Sequence, residues 1–419
     1  MINKSNSIEN AVENKSRYMI LTLLFLGWCV GNLNRFSINY AILEIGKDFD
    51  LSASTQGFIM SSFFLGYALM QIPGGWLADR YGPKKVLISS ILVWSIFASL
   101  SGVAWSASVL ILFRFLLGLS LGAFYPTALK TIAQVFPRNE QGKAISILLV
   151  SGVIIAVVSS IFFAWIIGIM GWQVLFHMIA ALGVVIAVFY LMILKLPERT
   201  QNKIDDHFIN EPQSLAFRQI LKVPFVWSMC VVGFCVSLIT WGINSWVPTY
   251  LVQVRHLSLM TAGKWQMMPA VLGLLAMLAS GIIADKLKTN TVKQLAMVMS
   301  ILTAFSVFMM YRVSSLTLFF IFEGITIACV TAIFVIINSL IMKQFSSEVT
   351  GSVVGLVNFG SQAGSFTAPF IIGIIVDANK GSFDMIFLFL TVIAVISIIA
   401  FLTIFSKRSL RSNVTCIFF

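Results

Sequence analysis

Two arginines and one glutamate stand where charge is expensive. Arg35 lies within GNLNRFSINYA, Arg114 within LFRFLLGLSLG and Glu323 within FFIFEGITIAC, each inside a long apolar run. A charge in hydrocarbon costs several kcal/mol, so it ordinarily faces a cavity or a partner. Counted from the outer ends of their runs at about 1.5 Å per residue, Arg35 lies about 14 Å deep, Arg114 about 9 Å and Glu323 about 12 Å. Two guanidiniums at one level repel unless something anionic sits between them, and a guanidinium grips carboxylate or phosphate with two parallel hydrogen bonds. The chemistry to expect is recognition of a small anion by Arg35 and Arg114. The competing reading is snorkelling to the outer surface, for which Arg114 is shallow enough and Arg35 less so. Glu323 is the proton-coupling candidate, since a buried carboxyl is either driven toward neutrality or held ionised by a nearby arginine. A structural salt bridge or a helix-end position is its alternative.

Polar side chains on the same runs extend the candidate site. Tyr67 and Gln71 are one helical turn apart and share a face, as do Asn358 and Gln362. Trp241 and Asn338 complete the substrate-binding set, with Trp241 the deeper of the pair Trp241 and Trp246. For each amide a helix–helix hydrogen bond is an equal alternative, and a tryptophan near a span end is ordinarily an interfacial anchor.

These residues need long apolar elements to hold them. The chain has 419 residues, 58% hydrophobic and 11% charged. A soluble protein of this length could not hide so much apolar surface. Runs of about 20 apolar residues cross a bilayer as helices. Twelve spans are expected: 18–45, 54–78, 85–105, 107–135, 142–168, 172–196, 223–251, 259–284, 291–311, 315–342, 351–376 and 383–405. The fold class is therefore an all-α membrane protein. Residues 1–17 read as an N-terminal tail, 18–196 as one six-helix bundle, 197–222 as a polar linker, 223–406 as a second bundle and 407–419 as a C-terminal tail. With the N-terminus in the cytoplasm, about 20 of the 28 Lys and Arg fall on the cytoplasmic side. The net charge of +12 is thus a topology signal, with both termini cytoplasmic. It does not call for nucleic acid. The partner at the surface is the lipid bilayer of the cell (inner) membrane, and a monomer is expected. The five cysteines are scattered, with neither metal spacing nor a disulfide framework. No cofactor and no metal are expected, and no constellation of catalytic residues suggests an enzyme.

The two halves repeat. Gly75-x-x-Ala78-Asp79-Arg80 recurs as Gly281-x-x-Ala284-Asp285-Lys286, after the second span of each half. Phe136 with Gly142 recurs as Phe345 with Gly351, after the fourth. Such in-register symmetry marks a duplicated six-helix unit. Gly118 and Gly122, and the run Gly351, Gly355, Gly360 and Gly364, permit close helix approach.

The turn GGWLADRYGPKK carries a family resemblance. Gly75-x-Leu77-Ala78-Asp79-Arg80-x-Gly82-x-Lys84-Lys85 resembles, without a gap, the loop between the second and third helices of major facilitator superfamily transporters. The resemblance covers the whole chain. It implies twelve transmembrane helices in two pseudo-symmetric six-helix bundles around a central cavity. It also implies a conformational gate built from Gly75, Asp79, Arg80, Gly82, Lys84, Lys85 and, in the second copy, Asp285. Asp79 is expected to pair near the cytoplasmic end of a neighbouring helix and steady the outward-open state.

Within that superfamily the chain is most similar to the anion:cation symporter group, bacterial carriers of sugar acids and other organic anions. The carrying motifs are Asn34-Arg35 with Ser37, Gln71-Ile72-Pro73-Gly74-Gly75, Arg114-Phe115-x-x-Gly118 with Pro126, and Trp246-x-Pro248-x-Tyr250-Leu251. The resemblance implies that Arg35, Arg114 and Tyr67 contact the substrate. It implies a transporter importing a small anionic substrate with a co-transported proton by alternating access. Two departures bear on the proton. The group's proton-carrying carboxylates correspond here to Asn34 and Leu121, which cannot titrate. Either Glu323 has taken that role, or the chain is a uniporter or an exchanger of organic anions or organic phosphates. A basic residue in the seventh span would favour phosphate exchange, and Val223–Gln253 has none. A transporter-like anion receptor is the remaining alternative.

Overall fold

The computed structural model describes residues 2–194, 220–345 and 347–405. Within these the chain forms twelve α-helices and no strand. They are α1 (Ile2–Asp48), α2 (Ala53–Tyr81), α3 (Pro83–Gly102), α4 (Ala107–Val135), α5 (Arg138–Met170), α6 (Trp172–Ile193), α7 (Pro224–Gln253), α8 (Leu259–Lys286), α9 (Thr289–Arg312), α10 (Leu316–Gln344), α11 (Ser347–Ala378) and α12 (Asp384–Phe405). Helices are the expected solution, because hydrocarbon offers no partner to an unpaired peptide group. Among the described residues, eleven of the twelve are long and apolar enough to cross a membrane. The exception is α2, diluted by Gln56, Ser61, Ser62 and Gln71 and ending in Asp79 and Arg80. Helix α1 extends back to Ile2, through residues expected as a tail, since nothing between Ile2 and Arg17 is Gly or Pro. The expected linker, apart from Ile220–Lys222, and the expected tail at 407–419 lie outside the described residues.

The chain divides into two compact units. One comprises residues 1–50 and 62–199, the other 51–61 and 200–419. In the first, α3 packs on α4 and α6, and α1 on α5, α6 and α4. In the second, α9 packs on α10 and α12, and α7 on α11, α12 and α10. Each of these pairings in one unit has its counterpart six helices on, so the sequence repeat is a repeat of packing.

Glycine sets the tightest approaches. A Cβ on Gly118 would collide with the Phe63 carbonyl, and one on Gly66 with the Phe115 carbonyl, so α2 and α4 touch backbone to backbone. Gly364 does the same against the Phe234 carbonyl, joining α7 to α11. Gly351 and Gly355, expected in the same role, have open space where a Cβ would stand. They lie nearer the start of α11 than the stretch that touches α7.

The first turns of α2 belong to the second unit. The Asp377 carboxylate, at the end of α11, accepts the backbone N–H groups of Ala53 at 2.9 Å and Ser54 at 2.8 Å. The first N–H groups of a helix have no partner within it, and here another helix supplies one. Ser61 donates to the Phe366 carbonyl at 2.6 Å, and Phe58 packs against Phe370 at 5.4 Å between ring centroids.

Candidate functional site

The arginines are built into the first unit on α1 and α4. Arg114 is fully buried, at 0% exposure. Its Nη1 donates to the Asn34 carbonyl at 3.1 Å, and its guanidinium carbon lies 5.3 Å from the centroid of the Phe63 ring. Its Nε and Nη2 have no hydrogen-bond partner. Snorkelling is thereby excluded for Arg114, whose head is enclosed. Arg35, one residue beyond Asn34, is half-buried and lies over two rings of α2, Phe64 at 5.0 Å and Tyr67 at 5.4 Å. One face of α2 therefore serves both cations, and ring quadrupoles offset part of the cost of removing them from water. Tyr67 is 3% exposed and hydrogen-bonds Gln71 one turn on. The structure thus gathers Arg35, Arg114, Tyr67 and Gln71 on three packed helices. Phe63 and Phe64 escaped the sequence reading, because an aromatic in an apolar run carries no signal of its own.

The two non-titrating positions lie beside them. Asn34 is fully buried, with its Nδ2 donating to the Val30 carbonyl at 3.1 Å and its Oδ1 unpartnered. Leu121 is 1% exposed and lies against Gly31 of α1. A hydrocarbon side chain fills that α1–α4 contact.

In the second unit the polar candidates fall on α7, α10 and α11, which pack on one another. Trp241 is buried. Asn338, Asn358 and Gln362 are half-buried. Asn338 gives its N–H to the Phe334 carbonyl of its own helix at 2.9 Å, and the Gln362 Oε1 is buried without a partner. Trp246 is no interfacial anchor. It is 2% exposed and its indole N–H donates to the Pro369 carbonyl at 3.0 Å.

Glu323 is 1% exposed, which rules out a loosely placed helix-end residue. Gln266 of α8 donates its amide to both carboxylate oxygens, at 3.0 and 3.2 Å. Within its unit the partner is thus an amide. Gln266 was missed because an amide in an apolar run looks like any helix–helix contact. Glu323 also has a counterpart in the other unit. Arg114 is the eighth residue of α4 and stands 22 residues before Phe136; Glu323 is the eighth residue of α10 and stands 22 before Phe345. The duplication places a buried cation in one unit and a buried carboxyl at the matching position of the other.

At the α2–α3 turn, Lys130 of α4 binds the Asp79 carboxylate and donates to the Ala78 carbonyl at 2.9 Å. Lys343 of α10 donates to the Ala284 carbonyl, the repeat equivalent of Ala78, and to the Leu287 carbonyl at 3.0 Å. Arg80 lies over the rings of Trp76 and Tyr81. Gly82 adopts φ +85°, a backbone region that side chains with a Cβ rarely enter, and Pro83 then opens α3. Lys84 is half-buried and Lys85 exposed, while Gly75 has open space around it. The side chain of Asp285 lies outside those described.

Comparison with known proteins agrees with this architecture. The chain is 28% identical over 440 residues to the "Probable galactarate/D-glucarate transporter GudP" of Escherichia coli (strain K12), covering 96% of this chain and 95% of that one. It is 26% identical over 417 residues to the "Hexuronate transporter" of Bacillus subtilis (strain 168), covering 93% and 95%. Its fold matches, with a TM-score of 0.82 and 18% identity, a crystal structure of a bacterial homologue of the human lysosomal transporter Spinster, over 92% of this chain and 96% of that one. Residues 24–369 match the Major Facilitator Superfamily, and with its twelve helices in two repeated units the chain is a multi-pass membrane protein that belongs to this family.

Proposed function

We propose that the protein is a secondary transporter that imports a small organic anion, a sugar acid or another carboxylate, by exposing its site alternately to the two sides of the cell membrane. The observation that carries this reading is Arg114. A guanidinium with no exposure and two nitrogens, Nε and Nη2, unpartnered bears a large desolvation cost, and an incoming carboxylate meets it with two charge-assisted hydrogen bonds. Arg35, on the adjoining turn of α1, supplies the second cation, with Tyr67 and Gln71 as orienting groups. Relatives named for galactarate, glucarate and hexuronate support a polyhydroxy carboxylate. Trp241, Asn338, Asn358 and Gln362 are the groups proposed to meet its hydroxyls. Both termini are assigned to the cytoplasm, and the transporter acts as a monomer.

Import is driven by a proton carried on Glu323. Neither Asn34 nor Leu121 can bind one, whereas Glu323 is buried with an amide partner that tolerates both protonation states. That pair of apolar and amide substitutions equally favours a second reading, an exchanger or uniporter, and the pH-gradient experiment in the Discussion separates the two. The primary test is a thermal-shift panel of sugar acids, aromatic acids, dicarboxylates and sugar phosphates on purified protein, since a ligand of the native state raises the melting temperature. A shift with a carboxylate series, followed by its uptake into proteoliposomes, supports the reading. Binding without uptake would mark a receptor, and a response to sugar phosphates alone would overturn the substrate class.

A further inference from the structure

A second ligand site is suggested by the outer face of the first unit. A groove of about 460 Å³, lined by neither Arg35 nor Arg114, lies between α2, α3 and α4, with Lys85 and Tyr81 at one end and Phe97 toward the other. Leu77, Val86, Val93 and Leu119 form much of its wall. Two of the three serines that border it have their hydroxyls engaged. Ser89 donates to the Val86 carbonyl at 3.1 Å and Ser120 to the Leu117 carbonyl at 2.8 Å, each on its own helix. From Lys85 to Phe97 the groove follows α3 for about 18 Å at the helical rise, close to the depth of one leaflet, about 15 Å.

Its mouth is cationic. Lys85 is exposed and has no hydrogen bond or ion pair among the described residues, and Arg80 and Lys84 flank it. The nearby carboxylate, Asp79, is already bound by Lys130. An apolar trough one leaflet deep, ending in unneutralised positive charge, fits an amphiphile with a long chain and an anionic head. We propose that this groove binds an anionic phospholipid of the leaflet on the side of the α2–α3 turn, one acyl chain lying along α3 and the phosphate meeting Lys85. Under the orientation proposed above this is the cytoplasmic leaflet. An unfilled groove in hydrocarbon forfeits dispersion contacts along its length, and an acyl chain restores them. The bound lipid would thereby rest on the turn that links α2 to α3.

The test is a titration of detergent-solubilised full chain with phosphatidylglycerol and, separately, phosphatidylcholine, read as bound lipid by native mass spectrometry. Wild type should prefer phosphatidylglycerol by about fivefold, the worth of one cation near an anionic head. Lys85→Ala should bring the two lipids to parity. Val93→Trp, which fills the trough, should weaken both. Because filling the trough with an indole also tests the fold, a phosphatidylglycerol with a diazirine in one acyl chain is used on the unmutated protein. Its adducts are expected within residues 70–81, 86–97 or 116–123. Equal affinity for the two lipids in wild type, or adducts confined to other helices, would overturn the site. Inorganic phosphate at the same concentration should not compete; competition would assign the mouth to a free anion instead.

Discussion

Arg114 and Glu323 show how one side chain can commit a whole element. Each is the eighth residue of its helix and each is buried, yet their surroundings differ. Arg114 has aromatic and carbonyl contacts with donors left over, whereas Glu323 has an amide aimed at both of its oxygens. Arg114→Ala is expected to abolish the thermal shift given by the cognate carboxylate, a loss of about 30-fold or more in affinity for removing one partner of a buried charge pair. Arg114→Lys should rescue poorly, because an ammonium cannot hold the Asn34 carbonyl and offer a bidentate fork at once. The same pair of substitutions at Arg35 should behave alike if both cations grip the anion. Wild-type affinity in either lysine variant would show that charge alone matters there.

At the scale of elements, the ends of α2 are its most informative parts. Its first turn is capped by a carboxylate from α11, and its last turn is held by a lysine from α4. Asp377→Ala removes two charge-assisted caps and should cost about 1–2 kcal/mol at that helix end. Hydrogen exchange at the amides of Ala53 and Ser54 should accelerate by about tenfold, while the amides of α4 stay unchanged. An unaltered rate at Ala53 and Ser54 would remove Asp377 as their cap. The Asp79–Lys130 pair is exposed on the aspartate side, at 68%, where an ion pair contributes only about 0–1 kcal/mol. Its value is positional, since the same lysine also holds the Ala78 carbonyl. Asp79→Asn is therefore expected to shift the conformational population toward inward-open with little change in melting temperature. Cysteine probes on the cytoplasmic side should become more reactive; unchanged reactivity would count against a gating role.

At the scale of the molecule, the proposed import requires a driving force. Proteoliposomes with an imposed inside-alkaline gradient should accumulate substrate when they carry the wild-type protein. With Glu323→Gln, which keeps a side chain able to pair with Gln266 but cannot bind a proton, they should show downhill exchange only. A wild type indifferent to the gradient would make the protein an exchanger or uniporter. Equal accumulation by both would move the proton site away from Glu323.

Twelve helices, the duplication and the family were legible in the chain itself. Length of apolar run is a local property, a bilayer leaves the helix as its main solution, and GGWLADRYGPKK is a contiguous signature. The arginines were legible for the same reason: charge inside an apolar run is visible without any neighbour. Partners were not. That Phe63, Phe64 and Tyr67 lie against the guanidiniums, that Gln266 reaches Glu323 across 57 residues, and that Asp377 caps a helix 324 residues away depend on which faces meet once helices pack. A phenylalanine or glutamine within an apolar run carries no mark of its future contact. Gly118 and Gly355 make the same point, being alike in sequence as spaced small residues. The packing of α2 on α4 made the first a point of backbone contact, while α11 meets no neighbour at the second, because close approach belongs to two helices together and cannot be encoded in one.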